Sequence, residues 1–166
     1  MISHRFLFLL LLLLPIHNSV AQEETFEPLF ENIDITKGLP HNTVQKIFQD
    51  SEGYMWFATK DGLCRYDGYN FIVYCESLVK ESISNSKVRC IAEDAYKNIW
   101  VGTWGAGLHL LHDAYNPEKT TWTTFTHDEN RSGTISDNLI YAISEDLNTN
   151  SLWVGTRSSL SILPMR

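Results

Sequence analysis

The sequence is short of cysteine and of charge clusters, and both shortages exclude classes of function. There are three cysteines, and no two stand in C-x-x-C spacing, so the chain offers neither a thiol redox motif nor a cysteine zinc site. No run of five like charges occurs, and the formal net charge is −7. This acidic balance argues against nucleic acid or anionic lipid as the main partner, and we expect neither.

The three cysteines, Cys64, Cys75 and Cys90, leave two interpretations open. An odd number in an exported chain allows one disulfide and one free thiol, and Cys64 and Cys75 are predicted to lie on neighbouring strands. The simpler interpretation, which we favour, is that all three are buried small apolar side chains.

Long apolar segments are also scarce. The one long run of apolar residues stands at the amino terminus. Phe6 to Leu14 is uninterrupted, Arg5 precedes it, and Ser19-Val20-Ala21 supplies the small residues that precede a signal-peptidase cut. A membrane-spanning helix needs about 20 apolar residues, and this run is much shorter. Residues 1–21 are therefore predicted to be a secretory signal peptide, with no membrane span in this chain.

What the sequence does contain is a short phrase around tryptophan that occurs three times. The tryptophans, Trp56, Trp100 and Trp153, are 44 and 53 residues apart. Upstream of each stand an aliphatic residue, a second one three positions later, and an aspartate three positions after that. Copies of a unit of about 40–50 residues are typical of a repeat architecture.

Within each unit, short apolar segments separated by turn residues predict a meander of antiparallel strands. The first strand, Val44 to Gln49, is expected to be covered on both faces. The predicted divisions are a lead-in over 22–42 with a candidate closing strand at Leu29 to Ile33, blade 1 at 43–75, blade 2 at 87–126 and a partial blade 3 at 138–166.

Four-stranded units at this period predict an all-β fold, an incomplete β-propeller of about two and a half to three four-stranded antiparallel blades. A tryptophan buried between blades would contribute roughly 4–6 kcal/mol through the 150–250 Å² that it covers. Residues that recur in register are interpreted as architectural, and Asp50, Asp94 and Asp146 as turn caps rather than catalytic acids. The predicted blade anchors are Trp56, Trp100, Trp153, Gly102, Gly155, Thr59, Thr103 and Thr156.

The units resemble the two-component regulator propeller repeat. The resemblance is carried by 38–42 (GLPHN), 50–56 (DSEGYMW), 62–68 (GLCRYDG) and the Trp-Val-Gly-Thr phrases at 100–103 and 153–156. The chain departs from the pattern at Ala58, where glycine is expected, and at Ser158-Ser159, where a glycine-containing turn is expected.

This resemblance implies the sensor half of a hybrid two-component regulator of Bacteroidetes, a periplasmic propeller that recognises oligosaccharides and controls polysaccharide utilisation. Relatives of that kind carry a histidine kinase, and this chain has no kinase motif, so no enzyme activity is expected of it. We expect further propeller blades, or a second copy, to pair with its exposed edges. The alternatives are a scaffold or interaction module without a signalling role, or a fragment of a glycan-active propeller enzyme.

Residues that differ from their counterparts in the repeat are the candidates for ligand binding. The turn after the second strand varies, and it offers Trp104, Lys60, Asp61 and Arg157. Two roles are open for Trp104: packing on a neighbouring blade, the commoner role of such a ring, or stacking on the apolar face of a pyranose. The histidines do not fall in metal-ligand spacing, so no metal or cofactor is expected.

Overall fold

A computed structural model describes residues 27–75, 83, 87–116 and 118–165. The predicted signal peptide and the first residues of the lead-in lie outside the described residues. The chain divides into two compact units, Met1–Glu31 and Asn32–Arg166, and all the described strands belong to the second. No strand forms over 27–34, so the closing strand predicted at Leu29 to Ile33 is wrong. The first regular element is a short 3₁₀ helix, Ile35–Lys37, whose first turn is capped by the Asp34 carboxylate.

Three antiparallel sheets follow, and in each the strands are paired in chain order. This confirms the predicted all-β propeller architecture. The first sheet contains β1 (Val44–Gln49), β2 (Met55–Thr59), β3 (Gly62–Tyr66) and β4 (Phe71–Tyr74). The second contains β5 (Val88–Glu93), β6 (Ile99–Thr103), β7 (Leu108–His112) and β8 (Thr121–Phe125). The third contains β9 (Ile140–Asp146), β10 (Ser151–Thr156) and β11 (Leu160–Pro164).

The sheets stack face to face, with two apolar cores between them. Trp56 packs in the core between the first and second sheets, among residues that include Ile91 and Val101. Trp100 packs in the core between the second and third sheets, with Ile140 and further apolar residues. Every residue of β6 is buried, because alternate side chains enter the two cores.

The outer faces of the stack are open. Ile91 is buried against the first sheet, whereas its counterpart Ile47 in β1 is 55% exposed. The expectation that Val44 to Gln49 would be covered on both faces is therefore wrong, because no described sheet packs on its outer side. Trp153 is likewise only partly buried, because its ring lies on the open side of the third sheet.

The aspartate before each second strand caps a turn. Asp50 accepts hydrogen bonds from the backbone N–H groups of Glu52 and Tyr54, and its second oxygen accepts from the Trp56 indole N–H at 2.7 Å. Asp94 binds the backbone of its own turn and the Trp100 indole, also at 2.7 Å. These contacts confirm the predicted turn caps and show that each cap also orients a core tryptophan.

In the third repeat the cap and the tryptophan are separated. Asp146 still holds its turn, through the Asn148 N–H and the Thr149 hydroxyl. The Trp153 indole instead donates to the Ser151 hydroxyl at 3.1 Å. Seven positions separate Asp146 from Trp153 and six separate the earlier pairs, so the longer turn carries the ring away from the carboxylate.

Gly102 lies at a close approach between the second and third sheets. A Cβ atom there would come within 2.5 Å of the Cys90 Sγ atom and 2.6 Å of Ile140. At the equivalent Gly155 the nearest atom would be 3.6 Å away, in ordinary contact with Ala142. Only the first of these two glycines is therefore required by a close approach.

A glutamate before the capping aspartate of the second and third repeats connects neighbouring sheets. Glu93 accepts hydrogen bonds from the backbone N–H and the hydroxyl of Ser51, both at 2.8 Å, in the turn of the preceding sheet. Glu145 accepts from the Ala95 N–H at 3.0 Å in the same way. The sheets are thus connected by the same polar contact at both interfaces.

Cys64 and Cys90 are buried, but Cys75 is exposed. The interpretation of three buried cysteines is therefore wrong for Cys75, which follows the last residue of the edge strand β4. All three are free thiols, and burial raises the pKa of Cys64 and Cys90 to about 12. Among the described residues no helix is long and apolar enough to cross a membrane.

Candidate ligand-binding site

The turn that follows each second strand has the same internal support in all three repeats. The hydroxyl groups of Thr59, Thr103 and Thr156 donate to the carbonyl oxygens of Gly62, Gly107 and Ser159, at 2.7–2.9 Å. Each of these hydroxyl groups also accepts a backbone N–H from its own turn. The recurring threonine therefore fixes a turn whose next residue differs from one repeat to the next: Lys60, Trp104 and Arg157.

Trp104 is held by backbone contacts to two sheets. Its N–H donates to the Lys87 carbonyl oxygen at 3.0 Å, at the entrance to β5. It also forms an isolated bridge with Leu139, at the entrance to β9. Its ring stays 48% exposed and meets the Tyr141 ring edge-on, with the centroids 6.4 Å apart. The ring thus packs on the neighbouring sheet and presents surface to solvent as well.

A β-bulge in each first strand supplies the side chains beside Trp104. The register between first and second strands shifts at Gln45 in β1, at Arg89 in β5 and at Tyr141 in β9. A bulge turns a side chain out of the regular alternation of a strand, and bulges are frequent beside functional sites. The recurring bulge therefore presents a different residue type in each repeat.

Arg89, Trp104 and Tyr141 form one cluster, here called the Arg89 cluster. The Arg89 guanidinium carbon lies 4.2 Å from the centroid of the Tyr141 ring and 4.6 Å from that of Trp104. Contacts of this kind contribute about 0.5–1 kcal/mol each at exposed sites. The two rings and the cation therefore hold each other in place.

A cavity of about 370 Å³ opens beside this cluster. It lies where the inner strands of the first two sheets meet the Trp104 turn. Such a volume is within the range of roughly 300–1,000 Å³ that small-molecule sites occupy. Its lining residues are Gln45, Lys60, Lys87, Val88, Arg89 and Trp104. A second cavity along the same bulges continues past Arg89 to Lys46, Tyr141 and Ile143.

The structure brings together two of the four ligand residues suggested by the sequence. Lys60 and Trp104 line the same cavity. Asp61 and Arg157 are not among its lining residues. Arg157 is paired with Asp137, its Nε atom 3.0 Å from the carboxylate. The hydrogen bond that the backbone N–H of Leu139 donates to this carboxylate does most to lower the pKa of Asp137.

Sequence reasoning missed Gln45, Arg89 and Tyr141. The signal was present, because the two aliphatic residues of each first strand stand three positions apart. A regular strand places residues of one face two apart, so a spacing of three within a strand requires one extra residue, which is a bulge.

The lining of this cavity consists of cationic, amide, aromatic and aliphatic side chains. Retaining and inverting glycosidases use a pair of carboxylates about the scissile bond, and no described lining residue of this cavity is a carboxylate. Among the described residues no group of His, Cys, Asp and Glu could hold a metal ion. The side chains present supply cations, an amide and aromatic surface, which are groups that hold a ligand.

Comparisons with known proteins agree with the repeat and the fold. The family model described as two component regulator propeller matches residues 38–61 and 82–105. The solved extracellular domain of the putative hybrid two component system BT3049 from B. thetaiotaomicron is 28% identical, with a TM-score of 0.71, over 81% of this chain and 19% of that one. No curated protein matches the sequence.

Two more distant structures show the fold alone. The extracellular domain of the putative one component system BT4673 from B. thetaiotaomicron is 22% identical with a TM-score of 0.65, over 84% of this chain and 19% of that one. A streptogramin B lyase structure is 16% identical with a TM-score of 0.50, over 77% of this chain and 42% of that one. The chain therefore spans 19% of the length of either extracellular domain. Two segments of the chain match the two component regulator propeller model, and its three antiparallel sheets stack as the blades of a propeller do.

Proposed function

We propose that this chain is part of the periplasmic ligand-sensing propeller of a hybrid two-component system that regulates polysaccharide use. In this proposal it binds an oligosaccharide at the cavity beside the Arg89 cluster, and the full-length protein transmits the signal. The family repeats and the likeness to an extracellular domain of such a system support the sensor role. Because the similar solved structure is an extracellular domain, the likeness also supports export of this chain by the predicted signal peptide.

The observation that carries the binding role is the half-exposed ring of Trp104 above a cavity lined by residues that vary between repeats. Architectural positions recur here in register, including the threonine that fixes each turn. The position after that threonine does not recur, and neither does the bulge position. When two neighbouring positions vary while the rest of the repeat is kept, their side chains are expected to bind a ligand.

The chemistry of the cavity suits a sugar. A pyranose ring has an apolar face that stacks on an exposed aromatic ring, and its hydroxyl groups need donors and acceptors nearby. Trp104 supplies the ring, and Gln45 and Lys60 supply polar groups in the same cavity. Because the backbone of Trp104 is hydrogen-bonded to the entrances of two sheets, little freedom of the turn remains to be lost on binding.

Replacing Trp104 with alanine tests this proposal. We expect oligosaccharide affinity to fall about 5- to 150-fold, since stacking on an aromatic ring contributes about 1–3 kcal/mol where it has been measured for planar ligands. The melting temperature should change little, because the ring is half exposed. Affinity would be measured by calorimetry against a panel of plant and host oligosaccharides.

Tyr69→Ala is the matched control, since Tyr69 is a 90% exposed aromatic residue in the β3–β4 hairpin. It should leave binding unchanged. A Trp104→Ala variant that unfolds would show instead that the ring serves only to pack the neighbouring sheet. Equal affinity of the variant and the parent chain would remove Trp104 from the site.

A second candidate function, an interaction module, is favoured by the open outer faces. Ile47 on the first sheet and Leu160 and Ile162 on the third are each more than half exposed. Apolar surface of this kind marks contact sites in soluble proteins. Sedimentation over a range of concentrations would reveal self-association, and a strictly monomeric chain would argue against pairing between copies.

A further inference from the structure

The charge around the cavity is opposite to that of the chain as a whole. The formal net charge is −7, so a random surface cleft would carry acidic residues. The charged residues that line this cavity are Lys60, Lys87 and Arg89, and none of the described lining residues is acidic. A concave site lined by one sign of charge raises the local concentration of the opposite ion.

Two of these cations have no carboxylate partner in the described part of the chain. Neither Lys60 nor Arg89 forms an ion pair there, whereas Lys97 is paired with Glu52 and Arg157 with Asp137. In an acidic protein, cations that serve only the fold are readily neutralised by a neighbouring carboxylate. Lys60 and Arg89 instead line the open volume.

Arg89 is oriented by aromatic rings rather than by an acid. The Tyr141 and Trp104 rings contact the guanidinium group, at 4.2 and 4.6 Å from its central carbon, and no described acceptor receives its N–H groups. A planar guanidinium presents pairs of parallel N–H groups that match the two oxygens of a carboxylate or sulfate. Contact with both rings restricts where those donors can lie before a ligand arrives.

The fold does not require an arginine at this position. The same bulge carries Gln45 in the first sheet and Tyr141 in the third, with the same register shift. A neutral residue therefore satisfies the bulge in both other repeats. The charge of Arg89 has no architectural role that its counterparts share.

We infer that the oligosaccharide bound at this cavity is anionic, with a carboxylate or sulfate group held by Arg89 and Lys60 while a sugar ring stacks on Trp104. This inference rests on the proposed sugar-binding function and specifies the class of glycan: uronic acid-containing or sulfated. The two sources share one chemistry, a pair of oxygens that carries negative charge.

Calorimetry on the purified full chain in low salt would use paired probes. A galacturonic acid trisaccharide is compared with its methyl ester, and a sulfated galactose disaccharide with its unsulfated form, which carries no charge. We expect one charged probe to bind at least about tenfold more tightly than its neutral partner, because hydrogen bonds to charged groups contribute about 1.5–3 kcal/mol. Which charged probe binds tells carboxylate from sulfate.

Variants assign the effect to residues. Arg89→Gln should lower the affinity for the charged probe about 10- to 100-fold and leave the affinity for the neutral one within about threefold. Lys60→Gln should also lower the affinity for the charged probe. Because Lys60 is exposed, this variant should fold as the parent chain does. Lys97→Asn is the matched control, because it removes one positive charge at the opposite end of β6 and should change neither affinity.

The outcomes separate the two claims. If the methyl ester and the unsulfated sugar bind as tightly as their charged partners, the anionic ligand is wrong and the sugar-binding proposal stands. If no probe binds to the folded chain, both the inference and the binding role of this cavity fail. A charged probe that binds equally to the parent and to both cavity variants would place the anion site elsewhere.

Discussion

The contact between Asp94 and Trp100 offers the sharpest test of how this fold is held together. Asp94 is 5% exposed and Trp100 is 4% exposed, and together they connect a turn to the core between the second and third sheets. Asp94 accepts hydrogen bonds from the backbone of its turn, from the Asn98 side chain and from the Trp100 indole. Alanine at this position removes all of them at once.

The expected cost follows from which groups can reach water afterwards. The turn N–H groups lie near the surface and can be rehydrated, so their loss is partly compensated. The indole N–H is buried, and a buried donor left without a partner costs about 1–3 kcal/mol. Adding the lost bonds to a charged acceptor, we expect Asp94→Ala to lower the free energy of unfolding by about 3–5 kcal/mol.

Two further variants divide this cost. Asp94→Asn keeps one oxygen for the turn and places an NH₂ group against the indole N–H, so it should cost about 2–3 kcal/mol. Asp146→Ala removes the same residue type from the third repeat, where the Trp153 indole is bound to Ser151 instead. It should cost less than half of what Asp94→Ala costs.

Urea unfolding at pH 7, followed by tryptophan fluorescence, measures all three variants against the parent chain. The reasoning is refuted if Asp146→Ala is as damaging as Asp94→Ala, since the indole contact would then contribute nothing. It is also refuted if Asp94→Asn is neutral.

Three other predictions concern packing, pH and thiol chemistry. Gly102→Ala should destabilise the chain by about 1–3 kcal/mol, because the added methyl group would overlap Ile140; Gly155→Ala should be near neutral in the same urea assay. Burial lowers the pKa of His109 to about 4 from 6.5, so the unfolded chain binds a proton that the folded chain does not. The contribution of His109 to the free energy of unfolding is then fully present above pH 6.5 and falls by about 3 kcal/mol towards pH 4. The variant His109→Gln should lack this loss when unfolding curves at the two pH values are compared. A thiol reagent such as Ellman's reagent should titrate one thiol, Cys75, in the folded chain and all three cysteines in denaturant.

The strands were predictable because their signals are local. Turn residues such as Asp67-Gly68 punctuate the chain, and the repeat supplies three versions of each pattern. The strand Val44–Gln49 forms with the bounds that the sequence predicts, and each unit folds as the predicted antiparallel meander.

The site was only partly predictable, because it is made by contacts between repeats. Trp104 could be singled out because it differs from Lys60 and Arg157 at the same place in the repeat. That Arg89 lies against the Trp104 and Tyr141 rings depends on how the second and third sheets stack, which no single repeat encodes. Asp61 was grouped with them by sequence proximity alone.

The misjudged burial of β1 and Trp153 has one cause. A repeat pattern describes the interior of a stack, where each sheet has a neighbour on both sides. Ile47 and Trp153 carry the interior pattern at the two outer faces, so Ile47 is exposed there and Trp153 is only partly buried.

The glutamate contacts between sheets give the array a direction. At each junction the later sheet brings the acceptor, Glu93 or Glu145, and the earlier sheet brings the backbone donor at Ser51 or Ala95. An additional sheet on the carboxyl side would therefore have to carry an acidic residue just before its own aspartate and reach the turn after Asp146. A sheet placed on the amino side would meet Gln49, which is uncharged, so the two ends of the stack are chemically unlike and accept different neighbours.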